Sequence, residues 1–495
     1  MTGAELLDVA MCRLRLPVPM AKLQVIHQIA NALADQKTSQ PTWHALLRWL
    51  RALRLESEVL EALAIVVLAR GSAVLSSADL RAAIEAPSVL SDVFIAHAFK
   101  TPVLVHSWLK AHSGEVPRFY QQPELTEKLE SGEFVPPILF HRLQSLERRS
   151  RKPFVAQWTY EFERLTERSD CKYDGHFGFF LPHDDRSEAG QFVARRGQLA
   201  RSAFLRTLAL AGDQWGMPIP EVQAIAMFAS PTDLSLLPML PGEAPQWAKS
   251  LHDASPASPD EAAGLAASVM RGVHENQSGT LLHLNLPLHS DSRYHGELEI
   301  VSILASDEAV DTEEVLRVHD SLPGKMSVPR SDDLTLRVDP LEPEAALPTK
   351  AGGLLRPVLL PIVGGSVGYL QADLVARMPR LPAHHSETPL IVTPRKGGAD
   401  VLLSGTKVGE LRHWNWRWRP THPKGMGSPT GAGLILDRDV AERLLHVSGL
   451  RLVHVWRAQV LRRETDYKDW VEEAWQGSVP GRRLGSASKP MARTE

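Results

Sequence analysis

The sequence is poor in cysteine, in long apolar runs and in any surplus of one charge, and each shortage closes off a class of protein. Two cysteines in 495 residues, Cys12 and Cys171, exclude a disulfide framework and a cysteine-rich zinc site. No stretch approaches the ~20 consecutive apolar residues of a membrane-spanning helix; the run Ile65–Ala69 is short and lies between Glu61 and Arg70. The opening Met-Thr-Gly-Ala-Glu-Leu-Leu-Asp has no basic segment followed by an apolar run, so no secretory signal is expected. A net charge of −3 provides no chain-wide attraction to nucleic acid or to an anionic bilayer. Cytoplasmic location and no membrane partner are therefore expected.

Short catalytic signatures are also scarce. The stretch from Gly397 to Lys407 has glycines and a lysine, but not the spacing of a phosphate-binding loop and no Lys-Ser or Lys-Thr pair. Gly431-Ala-Gly433 precedes an expected strand rather than a helix, so it cannot aim helix N–H groups at a phosphate. There is no His-Glu-x-x-His and no kinase signature. No cofactor is expected, and catalysis has little support.

What is present is an ordinary globular composition, 43 % hydrophobic and 23 % charged, in a chain long enough for several cores. The patterning points to an α+β multidomain protein with a helical N-terminal region and a mixed α/β C-terminal region. The expected segments are a bundle or solenoid-like helical domain over 1–150, a mostly helical middle domain over 151–250, a β-rich segment over 261–338, an α/β domain over 354–476 and a disordered tail over 477–495. Linkers are expected at Ser250–Asp260 and Asp339–Gly353 by composition.

In the first segment Trp43, Leu46, Leu47, Leu50 and Leu53 recur at helical spacing. Glu56–Ala69 is apolar nearly all round, the mark of a buried helix, with Gly71 to stop it. Ser76 and Asp79 resemble a capping box for the next helix. A further helix is expected at about Gly190–Trp215. Leu199, Phe204, Leu205 and Leu208 form its apolar side, while Arg195, Arg196, Arg201 and Arg206 form a basic side expected to face solvent. Before it lie Cys171, His176, His183 and Asp184, a donor set that suits zinc or iron and would make the chain a metal-dependent hydrolase. Gly175, Gly178 and Pro182 deny that segment a helical or hairpin register, so a plain loop is the competing reading.

Further on, Thr280–Leu286 and Glu297–Leu304 alternate and read as an antiparallel pair. Leu354–Ile362 and Ser366–Leu374 read as another, and Pro389–Thr393 and Asp400–Leu403 lead into a tryptophan-rich strand. There, from Arg412 to Arg419, Trp414, Trp416 and Trp418 share one face and His413, Asn415, Arg417 and Arg419 the other. A half-buried strand with inward indoles explains this alternation. The alternative is an exposed platform in which Trp414, Trp416 and Trp418 stack on bases while Arg412, Arg417 and Arg419 meet phosphates. Seven basic against two acidic side chains between Arg395 and Lys424, a local charge of +5, suit that alternative.

Leu434-Ile435-Leu436, a helix capped by Asp437 and ended by Gly449, and Leu450–Leu461 read as strand–helix–strand, with a right-handed crossover if the strands are parallel neighbours. Asp466 is placed to cap a last helix carrying Tyr467, Trp470, Val471 and Ala474 on one stripe.

Leu55-Glu-Ser-Glu-Val59, Pro87-Ser-Val-Leu-Ser-Asp92, Arg201-Ser-Ala-Phe-Leu-Arg-Thr-Leu208 and the Leu434–Trp456 segment resemble the accessory and C-terminal regions of bacterial STAND-type NTPases found among antiphage defence systems. The phosphate-binding loop that defines that family is missing here, so the resemblance implies that any nucleotide-driven switching belongs to another polypeptide. It implies a non-enzymatic interaction or scaffold protein whose partner is another protein, an operon-encoded NTPase or effector. Nucleic-acid binding through Arg412–Arg419 and metal-dependent hydrolysis are the two alternatives.

Overall fold

A computed structural model of the chain describes residues 3–16, 19–101, 105–121, 137–168, 195–232, 234, 237–277, 279–306, 311–321, 347–348, 352–361, 370, 377–379, 390–415, 430–479 and 491–493. It is an α+β protein of two compact units. The first is Met1–Leu237 with Leu370, and the second begins at Pro238. Residues 1–150 and 151–237 therefore share one unit rather than forming two domains.

The first unit is helical: α1 (Gly3–Cys12), α2 (Pro19–Ala34), α3 (Ser39–Ala52), α4 (Glu56–Leu68), α5 (Ser77–Ala83), α6 (Val89–Phe99), α7 (Pro137–Ser150), α8 (Phe154–Arg168), α9 (Arg195–Asp213) and α10 (Ile219–Ala226). The periodic apolar positions of α3 are buried as expected, and Ser76 Oγ accepts from the Asp79 N–H to start α5. At α6, Ser88 and Ser91 satisfy each other's backbone N–H groups reciprocally. Helix α4 is buried all round, and Gly71 beyond its end adopts φ +88°, a conformation that costs glycine little.

The basic side of α9 faces solvent only in part: Arg195 is exposed, Arg206 is half-buried and Arg201 is fully buried, because α9 packs against the acidic first turns of α4. Arg206 Nε donates to Glu56 Oε1 at 2.7 Å, Arg195 Nη1 to Glu58 Oε1 at 2.9 Å and Arg201 Nη2 to Glu61 Oε1 at 3.3 Å. Fully buried Lys22 donates to Glu61 Oε2 at 2.6 Å and to the Leu14 carbonyl. Ser57 Oγ closes the seam by donating to the Gln198 carbonyl. Burial pushes the Glu56 carboxyl up, and the Arg206 guanidinium opposes that shift.

The second unit is built on one antiparallel sheet. Its strands are β1 (Gly279–Ser290), β2 (Tyr294–Ala305), β3 (Leu347–Pro348), β4 (Leu354–Pro357), β7 (Leu390–Arg395), β8 (Gly398–Leu403), β9 (Thr406–Asn415), β10 (Thr430–Asp437), β11 (Arg451–Arg462), β12 (Val471–Val479) and β13 (Met491–Arg493), with β5 (Leu359–Pro361) and β6 (Arg377–Pro379) forming a separate ribbon. The order is β13-β12-β11-β2-β1-β10-β9-β8-β7, with β4 beside β2 and β3 beside β4. The unit's helices are α11 (Gln246–Lys249), α12 (Pro259–Gln277), α13 (Thr312–Ser321) and α14 (Arg438–Ser448).

Several expectations change. The β1–β2 hairpin forms as expected, but it lies at the centre of the sheet between β10 and β11. The described strands of 261–338 and 354–476, β5 and β6 aside, therefore belong to one sheet. β10 and β11 are not parallel neighbours: each ladder between them is antiparallel, so the two run in opposite directions two strands apart. Asp437 stands at the N-cap of α14 with extended backbone but makes no side-chain hydrogen bond to the helix. The stripe from Tyr467 to Ala474 is not helical. Val471–Val479 is a strand paired with β11, and Tyr467 is 100 % exposed. Period two wins there because Trp475 and Gly477 alternate inward against Trp456.

Ser250–Asp260 is no linker: His252 is fully buried within it, and the units divide at Leu237 instead. Of the expected tail, Gly477–Val479 complete β12 and Met491–Arg493 pair with it. Most of the Asp339–Gly353 linker, and Ser366–Leu374 apart from Leu370, lie outside the described residues.

One face of the sheet packs on α11 and α12 around Trp414, Trp456 and Trp475, with Ala262, Ala266, Val269 and Val273 of α12 beneath. Two glycines make room for the indoles. Gly431 lies beside Trp414 and Gly477 beside Trp456, and an added Cβ would come within 2.2 Å and 2.7 Å of those rings. The opposite face packs Ile303, Ala305, Val453 and Val455 against Val315, Leu316 and Val318 of α13.

Candidate functional site

On that second face the apolar patch under α13 gives way to polar side chains, because β1, β2 and β11 change composition along their length. Alternation puts Asn285, Glu297, Glu299, Arg457 and Gln459 on this face. The register aligns them in rows: Asn285, Glu299 and Arg457 side by side, and Pro287, Glu297 and Gln459 in the next row. These five polar side chains line a half-open recess of ≈ 200 Å³.

Glu299 anchors the recess. Its Oε2 accepts from Arg457 Nη2 at 2.6 Å, and its Oε1 lies 3.5 Å from His283 Nε2. The carboxylate is held by a guanidinium and is not free to act as a base. Asn285 is only 8 % exposed, and its Oδ1 is buried with no hydrogen-bond partner. A buried acceptor in that state costs free energy until a donor meets it. The lining carries two carboxylates against one guanidinium.

A Ser302–His454 pair on the α12 face has the residue types of a nucleophile and its base, at 2.7 Å, but not the proton arrangement. Ser302 Oγ–H donates to the Leu281 carbonyl at 2.8 Å. His454 must then donate from Nδ1 to the hydroxyl, so it takes no proton from it. Both groups are buried, and burial pushes the His454 imidazole down to about 4. The pair stabilises the core.

The tryptophan strand is only partly described. Trp414 is fully buried, with its Nε1–H donating to His252 Nε2 at 2.9 Å while His252 Nδ1 donates to the Pro287 carbonyl. This ring offers no face to a base. Arg412 pairs with Glu410, Arg395 with Glu410 at 2.8 Å and Asp400 at 3.2 Å, and Lys407 with Asp400 at 3.0 Å. Asp400 and Glu410, the two acids already counted in the local charge of +5, thus tie Arg395, Lys407 and Arg412 into one ion-pair cluster. Asp437 adjoins this cluster, and its carboxyl is raised by burial, opposed by Lys407 and reinforced by Glu410, Asp439 and Asp400. Trp416, Arg417, Trp418 and Arg419 lie outside the described residues.

So do the expected metal ligands Cys171, His176, His183 and Asp184. Among the described residues, no group of three or more His, Cys, Asp or Glu side chains is arranged to hold a metal, and no helix is long and apolar enough to cross a membrane. Against the absence of short catalytic signatures, Gly364-Gly365-Ser366-Val367-Gly368 has the Gly-x-Ser-x-Gly spacing of a nucleophile elbow; it too lies outside the described residues.

The recess was also missed by sequence reasoning. The available signal was the recurrence of polar residues on one parity, Glu297 and Glu299 on β2 and Arg457 and Gln459 on β11, amid otherwise apolar strands. Compared with known protein families and with curated proteins, the chain matches none.

Proposed function

We propose that the protein is a non-enzymatic interaction protein that docks a protein partner through the β-sheet unit. The observation that carries this reading is the recess at Asn285, Glu297, Glu299, Arg457 and Gln459: charged, half-open, and equipped with a buried amide acceptor that lacks a donor. Its catalytic potential is low because Glu299 is already held by Arg457. At ≈ 200 Å³ it is smaller than the ~300–1,000 Å³ of sites that hold whole small molecules. On the resemblance noted above, the partner is a separately encoded NTPase or effector of a bacterial antiphage defence system, met in the cytoplasm.

Co-expression with the products of adjacent genes, followed by size-exclusion chromatography, tests the proposal. A stable stoichiometric complex is the expected result. Failure of every neighbouring product to co-elute overturns it. So does turnover of a p-nitrophenyl ester by purified protein that Ser366→Ala abolishes.

A further inference from the structure

We infer that the helical unit holds a ligand site of its own, independent of the docking reading: a seat for a small organic phosphate ester where the C-terminal ends of α4 and α6 meet. A half-open recess of ≈ 460 Å³ lies there. Arg70, Ser72 and Leu75 line it from the turn after α4, and Ala98, Phe99 and Lys100 line it from the end of α6. Its volume falls within the ~300–1,000 Å³ of sites that hold whole small molecules. The lining includes one arginine and one lysine and no acidic residue. Arg70 and Lys100 are both exposed, so a ligand can reach them, and among the described residues neither enters an ion pair.

The sign of the recess follows from magnitudes. Each helix C-terminus brings roughly half an elementary negative charge, so the two ends offset about one of the two full positive charges and the recess stays positive. Terminal carbonyls are also engaged: Val67 O accepts from the Arg70 N–H at 3.4 Å and Ala96 O from the Thr101 N–H at 3.1 Å. Lys100 holds its place at a cost. It ends α6 at φ 51°, ψ 38°, the left-handed cap position that glycine fills without strain, so backbone geometry does not account for a lysine there. The planar guanidinium of an arginine suits two phosphate oxygens side by side, and an ammonium supplies a point charge. A phosphate dianion matches two positive charges, where a carboxylate matches one. Leu75, Ala98 and Phe99 offer the apolar body of the ester a surface away from water. Ser72 gives no proton to the ligand, because its hydroxyl donates to the Leu33 carbonyl at 2.7 Å.

The test titrates the full chain calorimetrically at constant ionic strength and about pH 8, where a phosphate ester is a dianion. Phenyl phosphate is expected to bind saturably at one site, more tightly than benzoate or inorganic phosphate, while benzyl alcohol does not bind. Arg70→Gln and Lys100→Gln should each weaken phenyl phosphate by about tenfold, the factor that one charge-assisted hydrogen bond supplies. Arg118→Gln, at an exposed arginine of the same unit outside the recess, should leave binding unchanged. Lys100→Gly separates binding from folding. It relieves the left-handed cap, so the thermal midpoint should hold or rise while affinity falls by about tenfold; Lys100→Arg should keep the affinity. The inference is overturned by absence of saturable binding, by benzoate or inorganic phosphate binding as tightly as phenyl phosphate, by an equal loss in Arg118→Gln, or by parental affinity in Lys100→Gly. Complex formation with a neighbouring gene product bears on the docking reading alone, because that reading belongs to the sheet unit.

Discussion

Glu61→Gln is the sharpest perturbation of the helical unit. The carboxylate accepts from Lys22 Nζ at 2.6 Å and from Arg201 Nη2 at 3.3 Å, and both cations are 0 % exposed. The amide has nearly the same shape, so the substitution removes charge without opening a cavity. It leaves two buried cations facing a neutral group, and breaking a buried pair in this way costs about 3–5 kcal/mol. At about 1.4 kcal/mol per tenfold, amide protection along 56–68 and 195–213 should fall by roughly two to three and a half decades. Hydrogen exchange read by mass spectrometry suits the measurement, because it resolves this unit from the sheet unit without assuming two-state unfolding. Lys22→Met, Glu61→Leu and Arg201→Met combined should return protection to within about 2 kcal/mol of the parent, because removing the whole charge set also removes its desolvation cost. Protection in Glu61→Gln within about threefold of the parent, a difference under about 1 kcal/mol, would refute the reasoning. A triple variant as weak as the single one would show that packing rather than charge holds α4 to α9.

Three further outcomes concern the sheet unit. His454 has its folded value pushed down to about 4 from the ordinary 6.5, so the unfolded chain takes the proton first. Its contribution is complete above pH 6.5 and is lost as pH falls toward 4, about 3 kcal/mol in all; exchange along 298–304 and 452–458 should show that slope in the parent and lack it in His454→Gln. Gly431→Ala should destabilise the sheet by about 1–3 kcal/mol, since the new methyl meets the Trp414 ring at 2.2 Å; an unchanged thermal midpoint would contradict the packing described. Trp414→Phe removes the donor to His252 Nε2 and should cost about 1–3 kcal/mol beyond the lost ring volume. His252→Leu in the same background should recover part of that loss, which a double-mutant cycle by chemical denaturation would show.

The recognisable parts of the sequence were those in which a few neighbouring residues determine their own conformation. The helical spacing of Trp43 to Leu53, the N-cap at Ser76, the left-handed Gly449 at the end of α14 and the alternation of Thr280–Leu286 all describe local geometry, and each appears in the structure. The reading of Tyr467–Ala474 as a helix failed for a related reason. A short apolar pattern fits two periods at once, and contact with Trp456 across β11 selected the extended one. The Arg201 side of α9 was read as solvated because a run of guanidiniums carries no sign of its partner. That partner is a glutamate 140 positions earlier.

The same distinction separates what this sequence determined alone from what needed the assembled fold. Periodicity and capping marked most of the helices and strands, though not Val471–Val479, and set Trp414 on the face opposite His413; that this face is the buried one came from the fold. Neighbours across the sheet were decided only in three dimensions: β10 beside β1 rather than β11, Asn285 level with Glu299 and Arg457, and Arg395 against Glu410. The physical reason is that alternation assigns each side chain to a face but is silent about which strand lies alongside. A charge's meaning depends on that strand. Where the neighbour carries the opposite charge, as at Arg395 and Lys407, a basic run becomes a local ion-pair cluster; where an amide is buried beside groups already paired, as at Asn285, a recess is left with an unmet acceptor.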